Sequence, residues 1–173
     1  MIVFVILATL ALSVEGCRGI SAQCDLFDPT GKNQVYGRIH LFQGHNTPFV
    51  QVTGRIYGLK PGEHGFHVHQ EGNFGNNCSN AGPHFNPFNN PHGSPLDSER
   101  HAGDLGNVVA NYQGIAHVSI NDHVLRLQAP QALSILGRSI VVHSNRDDLG
   151  RGGNEESLKT GNAGARLACC TIQ

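Results

Sequence analysis

The sequence predicts an all-β fold, an eight-stranded antiparallel Greek-key barrel or flattened sandwich with two long functional loops. Three observations lead to this prediction. Turn formers are abundant, with 22 Gly and 8 Pro, and only 14% of the residues are charged. Segments with strand-like alternation recur along the chain, and two long irregular stretches interrupt them. With 173 residues, the chain is long enough to form one domain with a substantial core.

Each predicted strand shows the period-two alternation of a half-buried strand. Val35, Ile39 and Leu41, for example, share one face of the second strand. Glycine- and proline-containing turns flank these segments. The complete set of predicted strands is 21–27, 35–43, 49–57, 65–70, 107–111, 114–121, 138–143 and 166–172.

Two stretches interrupt this pattern. Residues 71–106 are dense in Asn, Gly, Pro and His, and residues 144–165 are rich in glycine and carry charges of both signs. Irregular loops of this length are uncommon in a compact domain unless they serve a site. The histidines of the first loop indicate such a site.

The first residues have the features of a secretory signal peptide. Residues 2–12 are apolar apart from Thr9, and this run is too short to span a bilayer. Three cleavage points fit the sequence, after Ser13, Gly16 or Ala22. We take residues 1–22 as the signal peptide and 23–173 as the mature domain, and we expect a protein secreted into the extracellular space. The alternative is that the apolar run forms a buried first strand.

Secretion implies an oxidising environment, in which cysteines tend to pair. The chain has five cysteines: Cys17, Cys24, Cys78, Cys169 and Cys170. Cleavage after Ala22 would remove Cys17 and leave an even number. Earlier cleavage would leave one thiol without a partner.

The formal net charge is −1 at pH 7. We therefore expect no nucleic-acid partner, because no basic surface is indicated. We also expect no membrane association after signal cleavage, because the chain has no basic stretch that would bind a membrane surface.

The segment 65–69 predicts a metal site. His67 and His69 are one residue apart, so on a strand both imidazoles point the same way and offer two nitrogens to one point. Further candidate ligands follow in the first loop and at the end of a later apolar run: His84, His92, His101, Asp104 and His143. The remaining histidines are more simply packed or surface residues: His40, His45, His64, His117 and His123.

The number of candidate ligands predicts two metal ions, because six histidines and one aspartate are too many for one four-coordinate ion. Imidazole-rich sites suit copper and zinc, whereas calcium and magnesium prefer oxygen ligands. The absence of a cysteine cluster with metal-binding spacing argues against a zinc finger or an iron–sulfur site.

Five segments of the sequence resemble motifs of the copper/zinc superoxide dismutases. The resemblance extends from about Cys24 to Cys169, and its motifs are long and specific. They are residues 65–69 (GFHVH), 81–87 (AGPHFNP), 100–107 (RHAGDLGN), 152–157 (GGNEES) and 161–169 (GNAGARLAC).

This resemblance implies a role for each candidate residue. The family's copper ligands fall on His67, His69, His84 and His143, and its zinc ligands on His84, His92, His101 and Asp104. His84 would therefore bridge the two ions. The resemblance also implies a disulfide between Cys78 and Cys169, an active-site arginine at Arg166 and, at Asp147, an aspartate that links the two ligand spheres.

The implied activity is the dismutation of superoxide, 2 O2•− + 2 H+ → O2 + H2O2, as an antioxidant defence outside the cell. Copper would cycle between Cu(II) and Cu(I), and zinc would be structural. In the family mechanism, His84 leaves Cu(I), takes up a proton and returns it as peroxide forms. Glu155, Glu156 and Lys159 would help to guide the anion, with ordinary surface charge as the alternative. The sequence does not identify a copper-loading partner.

The chain departs from the family at the surface that its dimers use. Glu71 occupies a position that is usually apolar or aromatic, and the chain ends soon after Cys170. A carboxylate within a small apolar interface is costly unless it is paired. Ile135 and Leu136 retain part of the apolar patch, so we expect a homodimer that Glu71 weakens, with a monomer as the alternative.

Two further features are additional to the family pattern. We expect Cys24 and Cys170 to pair, because the first and last strands of this fold run close together. Asn77, Cys78 and Ser79 form an N-glycosylation sequon whose middle residue is the expected disulfide cysteine. Its occupancy remains open.

Two other functions account for part of the ligand set. A non-catalytic copper/zinc-binding protein of the same fold would share the ligands but would not need Arg166. A zinc hydrolase could use three histidines and a carboxylate. That function would leave the remaining candidate ligands unused: His67, His69 and His143.

Overall fold

The computed structural model describes residues 18–127, 130 and 132–173 and confirms the predicted all-β barrel. Most of the predicted signal peptide, including its apolar run, lies outside the described residues, as does Cys17. The strands are β1 (Gly19–Phe27), β2 (Tyr36–Gly44), β3 (Val50–Tyr57), β4 (Gly62–His69), β5 (Asp104–Ala110), β6 (Ala116–Asp122), β7 (Ser139–His143) and β8 (Arg166–Thr171). The helical segments of the described chain are α1 (Ser157–Thr160) and two 3-10 turns, Gly75–Asn77 and Ser79–Ala81.

The eight strands form a closed barrel in the order β1-β2-β3-β6-β5-β4-β7-β8. Neighbouring strands pair antiparallel, and β3 pairs with β6 rather than with β4, which gives the crossover of a Greek key. The β5–β6 pairing is limited to Ala110 and Ala116, so few backbone hydrogen bonds join these two strands. Among the described residues, no helix has the length and apolar character needed to cross a bilayer.

The barrel interior is filled by the inward-facing residues of the strands. In β2 and β3 these alternate with exposed residues, and burying them supplies the main driving force for folding. The largest fully buried aliphatic and aromatic side chains include Phe66, Ile39, Leu41, Ile56, Leu125, Ile140 and Ile172.

Strands β4 and β7 differ from the others because both of their faces are buried. All five residues of β7 are buried, as are the last six of β4. The inner face packs in the barrel, and the long loops 70–103 and 144–165 cover the outer face. These loops correspond to the two predicted functional loops, and the strands beneath them give the loops a rigid base.

Three predicted strand starts were too late. Strand β1 begins at Gly19 rather than at residue 21. Strand β4 begins at Gly62 rather than at residue 65, and β5 begins at Asp104 rather than at residue 107. Residues 104–106 are buried on both faces of the strand, so the alternation used for prediction is absent there.

Three other expectations concern residues outside the candidate site, and their burial can be compared with them. Ala22 is buried within β1, so cleavage after this residue would remove the first four residues of the strand. Ile135 is fully buried, so its expected place in an apolar surface patch was wrong. Leu136 is 42% exposed and Glu71 is exposed.

Both expected disulfides are present. Cys24 pairs with Cys170, and Cys78 pairs with Cys169. Adjacent residues of a strand point to opposite faces. Cys170 therefore connects β8 to β1 inside the barrel, and Cys169 connects β8 to the first long loop on the outside.

The Cys24–Cys170 disulfide lies at one of the two weakly hydrogen-bonded parts of the barrel. Strand β1 pairs with β8 only through Phe27 and Cys169. Two backbone hydrogen bonds between Gln23 and Gln173 extend the contact, at 2.7 and 2.9 Å. The disulfide therefore closes the barrel covalently at a position where backbone pairing is short.

We predict that the double substitution Cys24→Ala and Cys170→Ala lowers the free energy of unfolding of the metal-free chain by about 5 kcal/mol. This magnitude follows from the chain-entropy model of a disulfide, here with a sequence separation of 146. Guanidinium unfolding monitored by circular dichroism would measure it. An unchanged midpoint, or free thiols at both positions in the non-reduced parent, would contradict the prediction.

Candidate metal centre

Strand β4 presents two histidines on the outer side of the barrel. Phe66 and Val68 point into the core, so the alternation of the strand turns His67 and His69 to the opposite face. The two long loops cover this face, and both imidazoles are buried. Both rings therefore lie on one side of the strand, as their spacing predicts.

Four buried histidines form a group that we call the four-histidine cluster: His67, His69, His84 and His143. One nitrogen from each ring lies within 4.8 Å of the others. The Nδ1 of His67 and the Nε2 of His84 have no hydrogen-bond partner among the described residues. Because a buried polar atom without a partner is costly, these lone pairs fit a site that binds a metal ion.

Two rings of this cluster are oriented by backbone carbonyls. The Nδ1 of His69 donates to the carbonyl of Gly82 at 2.9 Å, and the Nδ1 of His143 donates to the carbonyl of Gly164 at 3.2 Å. A carbonyl oxygen only accepts, so these nitrogens carry the proton. The two Nε2 atoms, 3.3 Å apart, are left with free lone pairs.

A second group, the three-histidine–aspartate cluster, lies beside the first: His84, His92, His101 and Asp104. The Oδ1 of Asp104 is 2.8 Å from the Nδ1 of His84, 2.9 Å from that of His92 and 3.1 Å from that of His101. Ligands on a tetrahedral zinc ion with bonds near 2.0 Å are about 3.3 Å apart. The spacing and the N3O donor set both suit zinc.

The His84 imidazole belongs to both clusters. Its Nδ1 faces Asp104, and its Nε2 is the unpartnered atom of the four-histidine cluster. Its ring centroid lies 4.0 Å from that of His67 and 5.2 Å from that of His92. This single side chain therefore connects the two groups.

Asp147 connects the clusters by a second route. One carboxylate oxygen accepts from the Nε2 of His67 and the other from the Nε2 of His92, both at 2.8 Å. The carboxylate is fully buried. It therefore sets the orientation of one ring in each cluster.

Two neighbouring residues hold Asp147 in place. The side-chain amide of Asn107 donates to its carbonyl at 2.9 Å and accepts from its backbone N–H at 2.7 Å. Gly161 has a φ of +66°, and a Cβ there would overlap the Oδ1 of Asp147. Sequence reasoning did not identify either residue as functional, although both lie in segments that resemble the family.

Burial dominates the protonation of the four-histidine cluster. It lowers the pKa values of His67 and His69 well below the ordinary histidine value, and it lowers the pKa of His143 to about 3. At neutral pH these imidazoles are therefore uncharged. Neutral imidazole is the form that binds a metal ion.

In the three-histidine–aspartate cluster, contacts with charged partners outweigh the effect of burial on the pKa values. Burial disfavours charge on His92, but its close contacts with the carboxylates of Asp104 and Asp147 raise its pKa to about 9. Burial likewise disfavours the Asp104 carboxylate, but hydrogen bonds with the histidines around it, led by His101, hold the pKa of Asp104 far below its usual range. Asp104 thus supplies a permanent negative charge to this cluster.

An open cavity of about 1000 Å³ leads to the clusters. His69, His84 and His143 line its inner end. Arg166 lies on its wall, where its guanidinium donates to the carbonyls of Cys78 and Gly82, both at 2.6 Å. These bonds fix a positive charge beside the four-histidine cluster.

The charged side chains of the second loop are paired with other side chains, whereas the Arg166 guanidinium donates to backbone carbonyls. Lys159 lies on the cavity wall, but its Nζ is 2.6 Å from Glu155. Glu156 also lines the cavity and accepts a hydrogen bond from the Thr160 hydroxyl. Asp148 accepts from Ser157 and does not contact a histidine of either cluster.

Sequence reasoning also missed the buried ion pair between Arg100 and Asp122. The Arg100 guanidinium donates to the backbone carbonyls of His101, Ala102 and Asp104. It thereby connects residues 101–104, which include His101 and Asp104, to the end of β6. Only the position of Arg100 in the motif RHAGDLGN could have indicated its importance.

Comparison with known proteins identifies the family. Residues 35–172 match the family described as copper/zinc superoxide dismutase. The chain belongs to this family. The sequence-based recognition is confirmed, as are the predicted activity, superoxide dismutation, and the predicted cofactors, copper and zinc.

Individual superoxide dismutases match over most of the chain. Identity is 54% over 138 residues with an extracellular Cu-Zn superoxide dismutase of Brugia pahangi, covering 78% of this chain and 67% of the relative. It is 52% over 161 residues with an extracellular Cu-Zn enzyme of Onchocerca volvulus, covering 91% and 79%. A Cu-Zn superoxide dismutase of the same organism is 58% identical over 138 residues, covering 78% and 86%.

We predict that Asp147→Asn weakens zinc binding about 10- to 100-fold. The amide cannot accept hydrogen bonds from both His67 and His92, so the orientation of at least one ring is lost. This magnitude is typical for residues that orient metal ligands. Competition with a chelator of known affinity would measure the effect.

The matched control is Asp148→Asn, which removes a neighbouring carboxylate that braces the loop through Ser157 and Asn162. We expect this variant to bind zinc within about threefold of the parent, because it does not contact either cluster. Equal losses for the two variants would show that loop stability, rather than ring orientation, controls zinc binding.

Proposed function

We propose that the four-histidine cluster holds copper, that the three-histidine–aspartate cluster holds zinc, and that His84 is a ligand of both. The unpartnered buried nitrogens of His67 and His84 carry this proposal. Three further nitrogens around one carboxylate oxygen of Asp104 support the zinc assignment. The residues present fit both ions.

The role proposed for each metal ion follows from the ligand atoms of its cluster. Copper bound here supplies one-electron chemistry by cycling between Cu(II) and Cu(I), and zinc supplies a fixed positive charge. The Nε2 of His84 would hold one proton in one half of the cycle and pass it to the oxygen that is reduced to peroxide in the other, and solvent would supply the second proton of H2O2. The Nδ1 on the opposite side of the ring, which faces Asp104, would serve the zinc site.

Arg166 receives the substrate in this proposal. Its guanidinium is fixed by backbone carbonyls and lines the same cavity as His84 and His143. A small anion entering the cavity therefore meets a positive charge before it reaches the imidazoles. Asp147 acts only through the rings that it orients.

The non-catalytic alternative is less well supported by this arrangement. A storage site would need the ligands but neither an open cavity nor an anion-binding arginine beside them. A zinc hydrolase would give no role to the copper-side histidines: His67, His69 and His143.

The decisive test is superoxide consumption by the chain loaded with copper and zinc, measured by pulse radiolysis beside the metal content. We predict full activity in the parent and a severalfold slower rate for Arg166→Gln with both metals retained. The loss should shrink at high ionic strength, because screening weakens anion attraction.

Arg166→Lys separates charge from geometry in the same assay. We expect it to keep most of the salt dependence, since the charge remains, while losing the two-sided hydrogen bonding of the guanidinium. Full occupancy of both metals without activity in the parent would favour the storage function. An unchanged rate for Arg166→Gln would remove this residue from the site.

We also propose that the protein is secreted. The apolar residues 2–12 support this assignment, as do relatives that are named extracellular enzymes. Cleavage after Ser13 or Gly16 would leave β1 intact, whereas cleavage after Ala22 would not. Terminal sequencing of the exported protein would identify the site, and recovery only inside the cell would contradict secretion.

For assembly, we propose a homodimer that Glu71 weakens. We predict that Glu71→Phe tightens self-association about tenfold or more, because burying a phenylalanine contributes about 1.5–3 kcal/mol. Light scattering across a micromolar dilution series would measure the change. The proposal would be contradicted if the parent and the variant were equally monomeric.

A further inference from the structure

The segment that carries His84 runs antiparallel to the end of β4. His84 lies opposite His69 in this arrangement. The backbone N–H of Gln70 donates to the carbonyl of Pro83 at 3.0 Å, and that of Phe85 donates to β4 at 2.9 Å. The separation of the two histidines therefore depends on how firmly these two segments are held together.

One guanidinium group, that of Arg138, contacts both segments. Its Nη1 donates to the carbonyl of Gln70, the residue after His69, at 2.8 Å. Its Cζ lies 3.8 Å from the ring centroid of Phe85, the residue after His84. Its Nε donates to a backbone carbonyl of the preceding loop at 2.8 Å. The group is thus held in one orientation between the neighbours of two histidines.

The Phe85 ring belongs to the hydrophobic core and is only 4% exposed. Successive residues of an extended segment point to opposite sides, so Phe85 points into the core where His84 points into the clusters. A guanidinium over the face of an aromatic ring is attracted by the electrons of that ring. Movement of the Phe85 ring would therefore shift the backbone that carries His84.

Arg138 itself is fixed to the sheet. It directly precedes β7, the strand that ends at His143, and its carbonyl accepts a hydrogen bond from the backbone N–H of Ile172 at 2.8 Å. Glu71 acts on its charge from a distance, but no ion pair among the described residues includes Arg138. Arg138 is also absent from the lining of the cavity that leads to the clusters. Its contacts therefore hold neighbouring segments rather than receive an anion.

We propose that Arg138 is a positioning residue for His69 and His84. By joining Gln70 to Phe85, its guanidinium keeps the two imidazoles at the separation that one copper ion requires. The inference rests on the proposed copper site, because both histidines are members of the four-histidine cluster. With the backbone beneath His84 fixed, only the ring would need to move when its Nε2 takes up a proton.

Electron paramagnetic resonance of the chain loaded with zinc and copper would test this role, because the hyperfine coupling of Cu(II) depends on the geometry of its ligands. We expect Arg138→Gln to change this coupling. We also expect it to weaken copper binding about twofold to thirtyfold, the range that corresponds to the loss of one cation–π contact. Competition with a chelator of known affinity would measure the weakening.

Two further variants identify the contact. Arg138→Lys keeps the charge but cannot cover the ring and bond two carbonyls at once, so it should change the spectrum as Arg138→Gln does. Phe85→Leu should also weaken copper binding, and adding Arg138→Gln to it should cause little further loss, because both changes remove the same contact. Losses that simply add in the double variant, or a parent-like spectrum for Arg138→Lys, would overturn the proposed contact.

Arg126→Gln is the matched control. The Arg126 guanidinium also donates to two backbone carbonyls, those of His123 and Leu125, and the residue lies in the same loop before β7. It has no recorded contact with Gln70 or Phe85. Guanidinium unfolding of the metal-free variants would show what each substitution costs in stability, and only Arg138→Gln should change the copper spectrum. An equal spectral change in Arg126→Gln would overturn positioning in favour of a general loss of stability.

The parent spectrum separates this inference from the function on which it rests. A parent that shows no nitrogen-coordinated Cu(II) would contradict the proposed copper site, and the role of Arg138 with it. A nitrogen-coordinated parent spectrum that is unchanged in both Arg138→Gln and Arg138→Lys would overturn the role of Arg138 alone.

Discussion

One imidazole ring, that of His84, is shared by two buried clusters. Its Nδ1 faces the Asp104 carboxylate, and its Nε2 is left without a protein partner in the four-histidine cluster. Neither group would have its full set of donors without this side chain. The barrel, the two long loops and the disulfides together hold this ring between its neighbours.

Long-range contacts hold the loops around that ring. Asp147, in the second loop, reaches a histidine of each cluster, and Asn107 fixes its backbone from the sheet. Arg100 ties the ligand segment of the first loop to the end of β6. Because each contact is buried, removing one partner would leave the other unsatisfied. The site is thus rigid through its surroundings as well as through its ligands.

Period-two spacing was enough to predict the strands and to place His67 and His69 on one face. Resemblance to the family divided the candidate ligands between copper and zinc and implied the Cys78–Cys169 pair, which spacing alone does not define. The start of β5 was missed because residues buried on both faces of a strand lose their alternation. The start of β4 was missed because its first residues are exposed and follow the turn-forming residues Lys60 and Pro61. The roles of Arg100 and Asn107 were also missed, because their partners Asp122 and Asp147 are distant in sequence and only the folded chain brings them near.

The shared His84 ring can be tested by loading both clusters with copper and recording electron paramagnetic resonance spectra. Two copper ions joined through one imidazole should couple magnetically, so the parent should show a weakened signal at low temperature. His84→Ala should restore the signals of two independent ions, provided that both remain bound. Independent signals in the fully loaded parent would contradict the account.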